Sequence, residues 1–141
     1  MAYDENSIEL FDTEIKNLES YLQSLCGKDT FSISEIVQTY YLITNLNSLV
    51  TLMAENFKES ISVSEKINFF HTLISSFNST THRKILDFLS DSIEKTTKDL
   101  QSTNSQNKTK EEIELDAKKF ETLRELMSTK EFVEQYDRGV T

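Results

Sequence analysis

The chain has 141 residues, which is enough for one domain with a hydrophobic core and short for two. It has no proline and only two glycines, whereas a sheet protein needs turn residues about every 8–12 positions. The net charge of −9 disfavours a general binder of nucleic acid or anionic membranes, because binding to phosphate needs clustered cations. We therefore expect an all-α fold: an antiparallel bundle of four main helices, followed by a C-terminal helix and a short terminal helix.

The first predicted helix, Glu5–Cys26, carries one narrow apolar seam. Its hydrophobic residues are spaced alternately by three and four, at Ile8, Phe11, Ile15, Leu18, Leu22 and Leu25. This heptad pattern suits packing inside an antiparallel bundle and equally a coiled coil between chains. Gly27 follows directly and is expected to end the helix.

The second predicted helix, Ile33–Phe57, opens at a capping box, Ser32–Glu35. It contains Ile36–Ala54, a stretch without any charged residue in a chain of which 28% is charged. One side of this helix is strongly apolar and is expected to be core: Leu42, Ile43, Leu46, Leu49, Val50, Met53 and Phe57. The opposite side carries Val37, Tyr41, Thr44, Ser48 and Thr51, with Tyr40 and Leu52 at its margins. This far side is predicted either to lie under another helix of the chain or to bind a partner. The polar amides of the stretch argue against a membrane span.

A third helix is predicted from the Ser62–Glu65 capping box to Phe77, and a fourth from about Thr81 to Ser102, with a break at Asn78–Thr80. That break would place two hydroxyls and three cationic side chains at a helix N-terminus, where backbone N–H groups and the helix dipole favour anions. The candidate anion-binding residues are Thr80, Thr81, His82, Arg83 and Lys84. The alternative is an exposed turn whose basic residues balance the acidic surface.

The composition changes after residue 101, which places the four-helix bundle core at residues 4–101 and a polar linker at 102–108. The C-terminal segment, 109–138, begins at the Thr109–Glu112 capping box, and a further box at Ser128–Glu131 predicts a restart as a short helix. Its apolar stripe consists of Ile113, Ala117, Phe120, Leu123 and Met127. The segment is predicted either to dock on the bundle or to bind a partner, with Ile113, Phe120, Leu123 and Met127 as anchors.

The sequence offers few chemical motifs. It has two histidines, one cysteine and two distant glycines, and it contains no HExxH, CxxC or glycine-rich phosphate loop. We therefore expect no enzyme activity, no metal and no cofactor. The single Cys26 and the absence of a basic-apolar leader favour the cytoplasm or nucleus.

These observations predict a non-catalytic helical adaptor or scaffold, or a small subunit of an intracellular multiprotein complex. Its partners would be other proteins, chiefly helical ones, bound through apolar helix faces. This prediction includes a homo-oligomer, in which the partner is a second copy of the chain. Neither direct nucleic-acid binding nor a transmembrane segment is expected. The alternative is a regulatory module that recognises a phosphorylated or acidic ligand at Thr80–Lys84.

Overall fold

The structure, a computed structural model, describes residues 5–102 and 109–140. Four helices occupy almost all of these residues: α1 (Glu5–Leu25), α2 (Ile33–Asn56), α3 (Ile61–Ser102) and α4 (Lys110–Val140). The all-α class is therefore confirmed. Within the described ranges, no helix is both long enough and apolar enough to cross a membrane. Most of the predicted linker, 103–108, lies outside the described residues.

The helix ends follow local capping chemistry. Gly27 has a φ of +83°, the left-handed conformation that ends α1 where predicted. The Thr109 hydroxyl accepts a hydrogen bond from the Glu112 backbone N–H at 3.2 Å, which confirms Thr109 as the cap of α4. The predicted cap at Ser62 is wrong, because the Ser60 hydroxyl accepts from the Val63 N–H at 3.2 Å and α3 begins at Ile61.

Two predicted helix breaks are absent. α3 runs without interruption through Asn78–Thr80 for 42 residues, and α4 runs through Ser128 for 31 residues. The hydroxyls expected to cap new helices point back along the existing one instead: Ser79 and Thr80 donate to the Ser76 carbonyl at 3.1 and 2.7 Å. With neither glycine nor proline at these positions, nothing interrupts the backbone ladder.

The chain divides into two compact units. The first consists of Met1–Lys28 and Ser34–Arg83, and the second of Asp29–Ile33 and Lys84–Thr141. The boundary therefore falls inside α3 rather than at 102–108, and residues 4–101 contribute to both units.

The first unit packs α1, α2 and the first part of α3 around a shared core. The α1 seam is buried at Phe11, Ile15, Leu18 and Leu25, as its heptad spacing predicts. The remaining buried apolar side chains are Ile36, Tyr40, Ile43, Leu46, Val50, Met53, Val63, Phe70, Ile74 and Phe77. Asp12 on α1 also bridges to Lys66 on α3 at 3.1 Å and to Lys16 at 2.9 Å.

The buried side of α2 is rotated around the helix axis relative to the prediction. Leu42 and Leu49, expected in the core, are half-buried, whereas Thr39 and Tyr40 are fully buried. Thr39 tolerates burial because its hydroxyl donates to the Glu35 carbonyl at 2.7 Å.

The second unit combines the α1–α2 connection with the end of α3 and α4. Phe31 meets Phe88 edge to face, with ring centroids 5.5 Å apart. The buried apolar residues of this unit are Phe31, Ile85, Leu89, Leu126 and Val133. Burial of Leu126 and Val133 shows that the C-terminal half of α4 packs within its own chain.

Candidate protein-interaction surfaces

The outer face of α2 is uncharged and open to solvent. Tyr41 is 56% exposed and Leu52 is 40% exposed. The other exposed members of this face, which we call the α2 outer face, are Thr44, Asn45, Ser48 and Thr51. At about 100° per residue these side chains cover roughly a third of the helix circumference. Each side chain that we predicted for partner binding on α2 is thus accessible.

The threonines make this face less polar than its composition suggests. The Thr44 hydroxyl donates to the Tyr40 carbonyl at 2.9 Å, and the Thr51 hydroxyl donates to the Asn47 carbonyl at 3.2 Å. Each hydroxyl proton is thereby committed to the helix backbone. The face lacks charge and displays tyrosine, which is the composition typical of the centre of a protein interface.

α4 has two apolar faces, and only one of them is covered. Leu126 and Val133 lie on the buried face. On the other side of the helix, Ile113, Phe120 and Met127 are 58%, 57% and 55% exposed. Ala117 is also exposed, and Leu123 is half-buried at the edge between the two faces. We refer to Ile113, Ala117, Phe120 and Met127 as the Phe120 seam.

Thr80–Lys84 does not form a helix N-terminus, so the premise of the predicted anion site is wrong. These five residues lie in the middle of α3, where the backbone N–H groups belong to the helix. Thr81 and His82 are buried, each 6% exposed, and do not face solvent as a site would require. Arg83 and Lys84 are exposed, and Lys84 lies 4.0 Å from Asp29.

His82 instead belongs to a buried aromatic cluster that sequence analysis missed. Its Nδ1 atom lies 2.6 Å from the hydroxyl of Tyr40, whose side chain is fully buried. The rings of Tyr40 and Phe77 meet edge to face at 5.5 Å. Tyr40 and His82 are separated by 42 residues, so no local spacing signals their pairing. Among the described side chains, none leaves a buried nitrogen or oxygen without a hydrogen-bond partner.

Features suited to catalysis or metal binding are sparse. Within residues 5–102 and 109–140, no three His, Cys, Asp or Glu side chains gather closely enough to hold a metal ion. Cys26 is exposed and borders a shallow cleft of about 160 Å³ between α1 and α3, together with Glu19, Phe77 and Thr80.

The chain matches no family model, no curated protein and no solved structure.

Proposed function

We propose that the protein is a non-catalytic helical adaptor or small subunit of an intracellular multiprotein complex. It binds a helical segment of another protein on the α2 outer face. The observation that carries this proposal is the exposure of Tyr41 and Leu52 within a helix that has no charged residue from Ile36 to Ala54.

The physical argument concerns desolvation. A charged side chain at the centre of an interface must lose its water, which is costly unless a partner charge replaces that water. The α2 outer face carries no such charge, although charged residues are frequent elsewhere in the chain. A partner helix can cover Tyr41, Ser48 and Leu52 without this penalty. Tyrosine adds a large contact area at a small cost in conformational entropy.

The hydrogen bond at one edge of this face supports the same conclusion. The Tyr21 hydroxyl on α1 donates to the Gln38 side-chain oxygen on α2 at 3.3 Å. Tyr21 is 37% exposed and extends the uncharged surface from α2 onto α1. A ligand helix would therefore contact two helices of the first unit, as in helix-in-groove recognition.

The test compares retention of proteins from extracts of the cells that express this chain. We expect Tyr41→Glu and Ser48→Arg to lose partners that the wild type retains, because each places an unpaired charge in the contact. The control is Thr72→Glu on α3, an exposed threonine whose hydroxyl also donates to a carbonyl four residues earlier. It should retain the partners.

Circular dichroism is measured on all variants. Their melting should stay close to wild type, within about 0.5 kcal/mol in stability, as for ordinary surface substitutions. If Tyr41→Glu retains every partner, the α2 outer face is not the binding surface. If it unfolds, the face belongs to the core.

A further inference from the structure

The Phe120 seam has the geometry of a helix-pairing surface. Ile113, Phe120 and Met127 follow one another at intervals of seven residues. Residues seven apart on an α-helix drift by only about 20° around its axis, so the three side chains form a nearly straight line. A second helix crossing at about 20° can cover such a line along its whole length.

We propose that the partner of this seam is the same seam on a second copy of the chain, with the two α4 helices antiparallel and centred on Phe120. The seam is equally long on both sides of Phe120, because Ile113 and Met127 are each seven residues away. A twofold axis at Phe120 then brings Ile113 against Met127 of the second copy. Such self-complementarity is what a closed twofold interface requires.

The charges beside the seam match this arrangement. In an antiparallel twofold pair, each flank of the seam meets the same flank of the second copy, and residues at similar distances on opposite sides of the centre become neighbours. One flank carries four exposed charged side chains: Lys110, Glu114, Arg124 and Glu131. Lys110 would meet Glu131 of the second copy, and Glu114 would meet Arg124. The twofold axis repeats both pairs, which gives four contacts of opposite charge. These outnumber the two like-charge contacts that Lys119 and Glu121 make with their own copies beside the axis.

A parallel pair is disfavoured by the same residues. In a parallel pair, the residue that directly precedes a seam residue on one helix lies opposite the residue five positions further along the second copy. Lys119 would then face Arg124, and this like-charge contact would occur twice. The charges therefore select the antiparallel orientation.

The charge of α4 also favours a protein over a membrane as the occupant. Lys110–Val140 contains nine acidic and six basic residues, whereas helices that lie on anionic membranes are rich in lysine and arginine. The seam offers three large side chains per copy, fewer than a standard protein interface. The association is accordingly weak and depends on concentration.

The test is sedimentation velocity of the full chain across a wide range of concentrations. The wild type is expected to shift from monomer to dimer as the concentration rises. Phe120→Glu should remain monomeric. The matched control is Leu115→Glu, because Leu115 is 54% exposed on the same helix but lies on the side of Leu126 and Val133. This control should still form the dimer, and circular dichroism should show equal helix content in all three proteins.

Orientation is tested by exchanging charges. Arg124→Glu should weaken the dimer by about tenfold, because two attractive contacts become repulsive. The double variant Glu114→Arg with Arg124→Glu should restore it, since the swapped pair again carries opposite charges. A parallel pair would show no such restoration.

Three results would overturn the proposal: a monomer at every concentration, a dimer that Phe120→Glu leaves intact, or a double variant that stays as weak as Arg124→Glu. Because the dimer uses α4, Tyr41→Glu should leave it unchanged. Failure of the dimer and failure of partner binding at the α2 outer face are therefore separate outcomes.

Discussion

Replacement of Tyr40 by phenylalanine tests the buried contact between α2 and α3 in the first unit. The substitution keeps the ring that packs against Phe77 and removes only the hydroxyl, which lies 2.6 Å from Nδ1 of His82. His82 is 6% exposed, so water cannot readily take the place of the hydroxyl. Removing one partner from a buried polar group costs about 1–3 kcal/mol, and we expect Tyr40→Phe to lower the free energy of unfolding by that amount.

Tyr41 provides the control from the next position in the chain. Its side chain is 56% exposed, and Tyr41→Phe should change stability by less than about 0.5 kcal/mol. Urea unfolding gives the stability difference, and hydrogen exchange of the α2 amides assigns it to the first unit.

A double variant separates the hydrogen bond from packing. When Tyr40→Phe is combined with His82→Leu, both polar groups leave the core, and part of the lost stability should return. The reasoning is refuted if Tyr40→Phe is no more destabilising than Tyr41→Phe, or if the double variant loses at least the sum of the two single losses.

Two further predictions concern the first unit. Phe70→Ala should lower the free energy of unfolding by about 3–5 kcal/mol, because Phe70 is fully buried. Phe69→Ala, at the adjacent position that is 40% exposed, should lower it far less. Equal losses of stability in urea unfolding would contradict this packing. Hydrogen bonds from Lys16 and Lys66 hold the pKa of Asp12 below its ordinary value of 3.8. The wild type should therefore be more stable than Asp12→Asn above pH 3.8, by less than about 1 kcal/mol because the site is open to solvent. This difference should disappear at more acid pH, where the Asp12 carboxylate becomes protonated. A stability difference that stays constant in acid unfolding would count against the ion pairs.

The elements that the sequence predicts well depend on local rules. The α1 seam follows from alternating steps of three and four residues, and the end of α1 follows from Gly27, the residue best suited to a positive φ. The cap at Thr109 follows from a side chain that reaches its own helix. Each of these features involves residues close together in the chain, so a single sequence contains the information.

The errors arise where one residue type serves two purposes. Ser79 and Thr80 resemble caps, yet a serine or threonine inside a helix can donate to an earlier carbonyl just as well. Without a glycine or proline, the sequence does not distinguish these uses, and the helix break on which the anion site depended was predicted wrongly. Tyr40 is buried against His82, which is 42 residues away, and residues so far apart carry no local pattern.

The candidate surfaces were predictable as sets of residues, but their accessibility was not. The absence of charge between Ile36 and Ala54 is visible in the sequence, as is the apolar stripe of α4. Whether either face is covered depends on how the helices pack. In the structure, Tyr41 and Phe120 are exposed, whereas Leu126 and Val133 are buried. The periodicity of the sequence shows that these faces exist, and the structure shows which of them are covered.

The absence of proline from this chain has a consequence for its folding kinetics. Isomerisation of X–Pro bonds produces refolding phases of about 10–100 s, and this chain contains no such bond. α1 and α2 are joined by seven residues, and α2 and α3 by four, so many native contacts are local and folding should be complete within milliseconds. A slower refolding phase would then have to come from the meeting of two chains, and its rate would increase with protein concentration.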